Sequence, residues 1–328
     1  MGTDYEPSGL QHAYLLDGAG GGERLGWEGI DRWTPDDGVL WINLDYSAPD
    51  SERWLGLRSG IEPLVRESLL DTDPRPRAQV LAPNLLVIAR GINLNVGAAP
   101  EDMISIRVWA EPKRIITLRH RASRSLLSLA GDLERGAGPR GAAELIAMLV
   151  ERVVEHVSTR VDELGDLIAA SEEVVLGEGR RGDLRGQLAD YRRRAIALRR
   201  FLGPQREALA KLSAVAVPWF DADSRARCAE SADRMTRTVE ELDAARDRAA
   251  ITQEELQSRA AELTNQRLYI LSIVTAIFLP LGFVCSLLGV NVGGVPLTHD
   301  DWAFWALCGA FAIFVGSLIF FFRRRGWV

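Results

Sequence analysis

The sequence predicts an α+β domain followed by a long helical stalk and two C-terminal membrane-spanning helices. Three observations predict it. Short Val-, Ile- and Leu-rich runs, broken by Gly, Pro and Asn, fill the first 140 or so residues. Apolar side chains at three- and four-residue steps take over from about residue 142. Two late stretches, 268–289 and 302–322, carry no charge at all. With 328 residues the chain has room for two or three domains. The expected boundaries are 1–140 for the α/β domain, 141–264 for the stalk and 265–328 for the membrane hairpin.

In the first domain, "VLWINLDY" (39–46), "VLAPNLLVIARGINL" (80–94) and "MISIRVWAEPKRIITLRH" (103–120) read as strands. Between the first two, "ERWLGLRSGIEPLVRESLLD" has helical spacing. "DGAGGGERL" (17–25) has the glycines of a phosphate loop but lacks the Gly-Lys-Ser/Thr ending that reaches phosphate and metal, so a flexible turn is expected. The opening "MGTDYEPSGLQHAYLL" has no basic region followed by an apolar run, so no signal peptide is predicted and the N-terminal part is expected in the cytosol.

The stalk begins with Val150, Val153, Val157, Val161, Leu164 and Ile168, the stripe of an amphipathic helix. "LGEGRRGDLRG" (176–186) reads as the tip of a helical hairpin, and "VAVPWF" (215–220) as a break. From Asp223 no Pro or Gly occurs until Pro280. At about 1.5 Å per residue, one helix to Gly289 would be ~100 Å long, far longer than a bilayer is thick.

That helix carries two seams. Met235, Leu242, Ala249, Leu256 and Leu263 recur at sevens and form an apolar stripe for packing against the preceding helices. Nearly opposite lie Ala244, Ile251, Ser258, Asn265, Ser272, Leu279 and Ser286, interleaved with Glu240, Asp247, Glu254, Ala261, Leu268, Thr275 and Gly282. The second seam stays small and polar even within the first uncharged stretch. Small residues serve close helix packing in membranes; they equally suit a water-lined pore on a symmetry axis. A single hairpin cannot enclose a pore, so that reading requires a homo-oligomer of cyclic symmetry. Continuity of the seam from stalk to membrane favours the pore.

Each uncharged stretch matches the roughly 20 residues needed to cross hydrocarbon, giving spans of about 268–289 and 302–322 joined by an external loop, 290–301. Arg259 and Arg267 precede the first span, Arg323, Arg324 and Arg325 follow the second, and the loop has no Lys or Arg. The positive-inside rule then puts both termini in the cytoplasm. The three cysteines, Cys228, Cys285 and Cys308, make no disulfide framework. A net charge of −6 speaks against nucleic acid as a partner. No nucleophile–base pair or metal-ligand cluster stands out in the soluble part, so an enzyme is not expected.

The segment "NQRLYILSIVTAIFLPLGFVCSLLGVN" (265–291) resembles the pore helix and signature of the CorA-type divalent-cation transporters. Phe278-Leu279-Pro280 matches that family's mid-membrane Phe-x-Pro, and Gly289-Val290-Asn291 stands where the family has Gly-Met-Asn. "NVGGVP" (291–296) is similar to the Asn-x-Gly-Gly-x-Pro extension of the ZntB zinc-transporter branch. So is "RGINLNVGAAPEDMISIRVWAEPKRII" (90–116), while "IEPLVRESLLDTDPRPRAQ" (61–79) is similar to the wider superfamily.

The resemblance implies a funnel-shaped homopentamer in the bacterial inner membrane, carrying a divalent cation, most simply zinc and coupled to protons, along a pore lined by the first span. By matching positions, Gly289, Val290 and Asn291 form the outer mouth, with the hydrated cation near Asn291. Asn265, Leu271, Thr275, Leu279, Gly282 and Ser286 fall on or beside the path. The seam selects nearly the same set, with Ser272 in place of its neighbour Leu271. Alternatives are a magnesium, cobalt or nickel channel of the same fold, and a non-conducting, membrane-anchored coiled-coil sensor.

The chemistry of the path fits a hydrated ion. The spans contain no Asp, Glu, Lys, Arg or His, so they offer hydroxyls, an amide and backbone carbonyls. A dehydrated zinc ion wants His, Cys or carboxylate ligands; Cys285 and Cys308 read as small packing residues. Leu279 beside Pro280 is expected to be a hydrophobic constriction. Glu240, Asp247 and Glu254 would stack as acidic rings under cyclic symmetry, or form an ordinary solvated helix face. His299, Asp300 and Asp301 are the titratable groups of the loop, and any proton coupling must sit there or in the cytosolic part.

Overall fold

The structure, a computed structural model, describes residues 9–177, 183–289 and 302–325. Its contacts divide the chain into two compact units, Met1–Gln253 and Glu254–Val328.

The first unit is built on a seven-stranded sheet. Its elements run β1 (Leu10–Leu16), β2 (Gly22–Arg24), α1 (Trp27–Arg32), β3 (Val39–Asp45), α2 (Pro49–Leu57), α3 (Pro63–Leu70), β4 (Arg77–Leu81), β5 (Asn84–Gly91), β6 (Ile104–Ala110), β7 (Arg114–Arg119), α4 (Arg124–Glu134), α5 (Ala142–Leu176) and α6 (Leu184–Ser213). The strand order is β2-β1-β3-β7-β6-β5-β4. Among these neighbours β3 and β7 alone run parallel, with Leu40 opposite Arg114.

Alternation along the strands makes both faces of the sheet apolar. Ile106, Val108 and Ala110 of β6 join a core with α4, α5 and α6, whereas Trp109 joins the opposite core under α2 and α3. Polar side chains are buried at the parallel pair. Trp41 Nε1 donates to Thr117 Oγ1 at 3.0 Å, and that hydroxyl lies 3.1 Å from Asn43 Oδ1. Such a network penalises any other register, because a slip would strand these groups without partners.

The expected helix through residues 52–71 is two helices. Gly60 adopts φ +67° and Pro63 starts α3, where a missing N–H is harmless. The glycine-rich stretch at 17–25 is the β1–β2 turn (17–21) running into β2, and in the turn Asp17 Oδ1 accepts from the backbone N–H of Ala19 and Gly21 at 2.7 and 2.9 Å.

A long helix, α7 (Ala222–Leu288), follows the break at 215–220 and carries residues of both units. Asp221 caps it by accepting from Ser224 N–H at 2.7 Å. The apolar stripe of α7 packs as its spacing requires: Met235, Leu242 and Ala249 are buried with Val157, Val161 and Ile168 of α5 in one core. Each such Leu, Met or Val contributes about 1.5–3 kcal/mol. Leu256 is half-buried and Leu263 exposed. Arg227 of α7 donates to both carboxylate oxygens of Glu151 on α5 at 2.7 Å, and Ser158 and Thr238 share a buried hydrogen bond of 2.8 Å.

The second unit holds the rest of α7 and α8 (Ala303–Arg324).

Candidate cation pathway

Both helices of the second unit are apolar over lengths that cross a membrane, and none of their most apolar windows is buried. Core helices of a soluble protein hide such a surface. Phe278, Leu279 and Phe283 of α7 are each 67% exposed, and Ile313 of α8 is 73% exposed. An apolar surface this extensive needs lipid or further protein chains to cover it. Trp302 and Trp305 stand at one end of α8 and Arg323 and Arg324 at the other, the arrangement that fixes a helix at two membrane interfaces.

The residues expected along the path all lie in α7 or just after it. Asn265, Leu271, Ser272, Thr275, Leu279, Gly282 and Ser286 are exposed on this helix. Heptad spacing keeps them near one another on its surface. Two hydroxyls have defined partners: Ser272 Oγ donates to the Leu268 carbonyl at 2.9 Å, and Thr275 Oγ1 to the Leu271 carbonyl at 2.8 Å. Their protons are thereby turned to the helix, and their lone pairs remain to accept hydrogen bonds from a cation's water. Sequence spacing did not reveal this orientation. Gly282 leaves open space where a Cβ would stand. Pro280 sits inside the continuous helix, as Pro does in membrane helices whose freed carbonyls find other partners.

Gly289 is the last described residue of the expected path, its N–H donating to the Cys285 carbonyl at 3.0 Å. Val290, Asn291, His299, Asp300 and Asp301 lie outside the described residues. Among the described residues no group of three His, Cys, Asp or Glu is placed to hold a metal ion. Cys285 and Cys308 are free and exposed. Beyond Arg267, the stretch 268–289 therefore offers neutral oxygens, which suit a cation that keeps its water.

Glu240, Asp247 and Glu254 are exposed on α7. Asp247 is not a free carboxylate, because Arg246 donates to its Oδ1 from Nε at 3.0 Å and from Nη2 at 2.8 Å. That hydrogen bond raises the Arg246 guanidinium above its ordinary value. The pairing is between adjacent residues, which helix geometry does not normally turn toward each other, so spacing rules missed it. Arg259, ahead of the span, donates to Glu255 at 2.6 Å.

A family profile described as "CorA-like Mg2+ transporter protein" matches residues 36–324. The divalent cation transporter CmaX of Pseudomonas aeruginosa is 38% identical over 327 residues, covering 98% of this chain and 97% of the relative. The zinc transport protein ZntB of Pectobacterium carotovorum is 33% identical over 327 residues, covering 100% of this chain and 98% of the relative. The solved structure of full-length CmaX superposes with a TM-score of 0.84 at 37% identity, covering 97% of this chain and 98% of that one. These likenesses span the α/β domain, the long helices and both apolar helices together. A membrane protein with two C-terminal spans and this fold, matched from end to end, belongs to the CorA-like family of divalent-cation transporters.

Proposed function

We propose that this chain carries zinc across the bacterial inner membrane as a homopentamer, with both termini in the cytoplasm and the α7 face from Asn265 to Ser286 lining the pore. The observation that carries the proposal is the exposed row Asn265, Ser272, Thr275, Gly282 and Ser286, the last four of them inside the otherwise apolar, uncharged end of α7. Lipid gives no reason for such a row; a shared aqueous axis does. Closing that axis takes several copies, and the resemblance gives five. Gly289, Val290 and Asn291 form the outer mouth in this reading, Leu279 the constriction, and Glu240, Asp247 and Glu254 the inner rings that gather cations. His299, Asp300 and Asp301 are the loop groups available for proton coupling.

Zinc is supported by the Asn-Val-Gly-Gly-Val-Pro run after the pore helix and by the full-length likeness to a zinc transport protein. One observation favours a second reading, magnesium: the seam on the span presents hydroxyls and an amide without His or carboxylate, and magnesium keeps its water more firmly than zinc does. The test is flux of zinc and of magnesium into liposomes holding the purified protein, with and without a pH gradient. Faster zinc flux that responds to the gradient is expected. Magnesium flux with no zinc flux would replace the zinc reading, and no flux of either ion would leave a non-conducting sensor.

A further inference from the structure

A cavity of about 570 Å³ opens at one end of the sheet, within the first unit. Topology gathers its walls from distant parts of the sequence. Arg90 of β5 lies opposite Ser105 of β6, and Arg107 of β6 opposite Leu118 of β7. Tyr46 and His120 directly follow the parallel strands β3 and β7, while Arg200 and Phe201 come from α6. The cavity thus sits outside the carboxyl ends of the parallel pair.

Two guanidinium groups are built into this wall. Arg107 is fully buried and makes no ion pair among the described residues. Its Nε donates to Ser105 Oγ at 3.2 Å, its Nη2 to the Tyr46 hydroxyl at 3.0 Å and its Nη1 to the Leu69 carbonyl. Three neutral acceptors therefore occupy three of the five N–H groups an arginine carries. Arg90 is 7% exposed and donates to the Met103 and Pro74 carbonyls at 3.3 and 3.0 Å and to Asp73 at 2.5 Å. Its Nε has no partner among the described residues. A buried guanidinium with no carboxylate in direct contact is an underbalanced charge: burial lowers the Arg107 proton affinity, and the Asp71 carboxylate, acting at longer range, offsets part of that.

The mouth adds Arg121, Arg200 and His120, all exposed. Three carboxylates line the same space, but two are engaged. Asp73 serves both Arg90 and Arg200, at 2.5 and 3.2 Å, and Glu101 faces Arg194 at 3.8 Å, leaving Asp102. Four arginines therefore face three carboxylates, and the fully buried arginine is one with no anionic contact. That balance calls for an anion. The planar fork of arginine matches phosphate oxygens pairwise, and the volume suits a small organic ligand as well as a bare ion.

We propose that this cavity binds a phosphate group, free or carried by a small organic molecule, between the carboxyl end of the β3–β7 pair and helix α6. A bound phosphate would join Arg121 after β7 to Arg200 of α6. It would reinforce the tie already made by the Arg90 N–H, which donates to Gln205 Oε1 of α6 at 2.6 Å. The neighbouring Arg199 donates to Asp243 of α7 at 3.0 Å, so the bound ligand would also steady α6 against α7.

The test is calorimetric titration of the full-length protein in detergent micelles, in metal-free buffer of low ionic strength. Inorganic phosphate and adenosine monophosphate are titrated separately, with sodium chloride as the control. Saturable binding at one site per subunit is expected. The Arg121→Gln/Arg200→Gln double variant, altered only at exposed positions, should bind at least about tenfold more weakly and unfold at an unchanged temperature without ligand. Tighter binding of adenosine monophosphate identifies an organic phosphate, and equal or weaker binding identifies the free ion. The proposal is overturned by no saturable binding of either probe up to about 1 mM, by undiminished binding in the double variant, or by equal binding of chloride.

Discussion

Acidification should weaken the first unit through His12, by an amount the structure sets. His12 lies on β1 and is 6% exposed, its ring 4.7 Å from that of Trp41 and 5.7 Å from that of Tyr14. Its Nε2 has no hydrogen-bond partner among the described residues, so a proton there would meet no acceptor. Burial, aided by the charges of Arg119 and Arg24 and opposed by Glu134, pushes its pKa down from 6.5 to about 4. Between those values the unfolded chain holds a proton that the native chain does not. Stability is therefore complete above pH 6.5 and falls by about 1.4 kcal/mol for each unit below it, about 3 kcal/mol in all by pH 4.

Urea unfolding of the detergent-solubilised protein, followed by tryptophan fluorescence from about pH 7.5 to about pH 4.5, measures this loss. His12→Gln should remove it while leaving the share due to carboxylates and to His156, whose pKa burial also lowers. The difference in slope between the two proteins isolates His12. Equal slopes would refute the reasoning.

Other perturbations reach the core and the path. Leu242→Ala empties a position that is 1% exposed between α7 and its neighbours and should cost about 2–5 kcal/mol in the same unfolding experiment; a loss within error would mean that α7 is not packed there. Leu279→Ser should raise resting ion leak in liposomes, and unchanged conductance would count against a dewetted constriction at that level. Replacing Glu240, Asp247 and Glu254 together with Gln should lower metal flux about tenfold at low ionic strength, whereas wild-type flux would leave them an ordinary solvated face.

How much of this was legible depends on how far apart the partners lie. Val150 to Ile168 announced α5 because one helix face repeats its chemistry every turn, and the spans announced themselves by lacking charge. The polar row on α7 was legible for the same reason. What period could not convey was pairing between segments far apart in the chain. The parallel contact of β3 with β7 joins residues 74 positions apart, as Leu40 and Arg114, and neither strand alone indicates it. The short elements β2 and α1, of 3 and 6 residues, were too brief to stand out. Arg107 did leave a trace, as an arginine among Ile, Val and Trp in "ISIRVWA", but two of its three partners, Leu69 and Tyr46, come from other segments.

The parallel pair also shapes how the protein is made. β3 has β1 on one edge as soon as both are synthesised, but its other edge must wait for β7. A ribosome adding about 5–20 residues per second needs roughly 4–15 s to cover those 74 positions. Through that interval β3 presents an apolar strand with unpaired backbone groups to water, a template for unwanted association. The membrane helices have then not yet been translated. The nascent chain therefore meets its first hazard in water, well before the bilayer, and a chaperone that shields β3 would act at that point in synthesis.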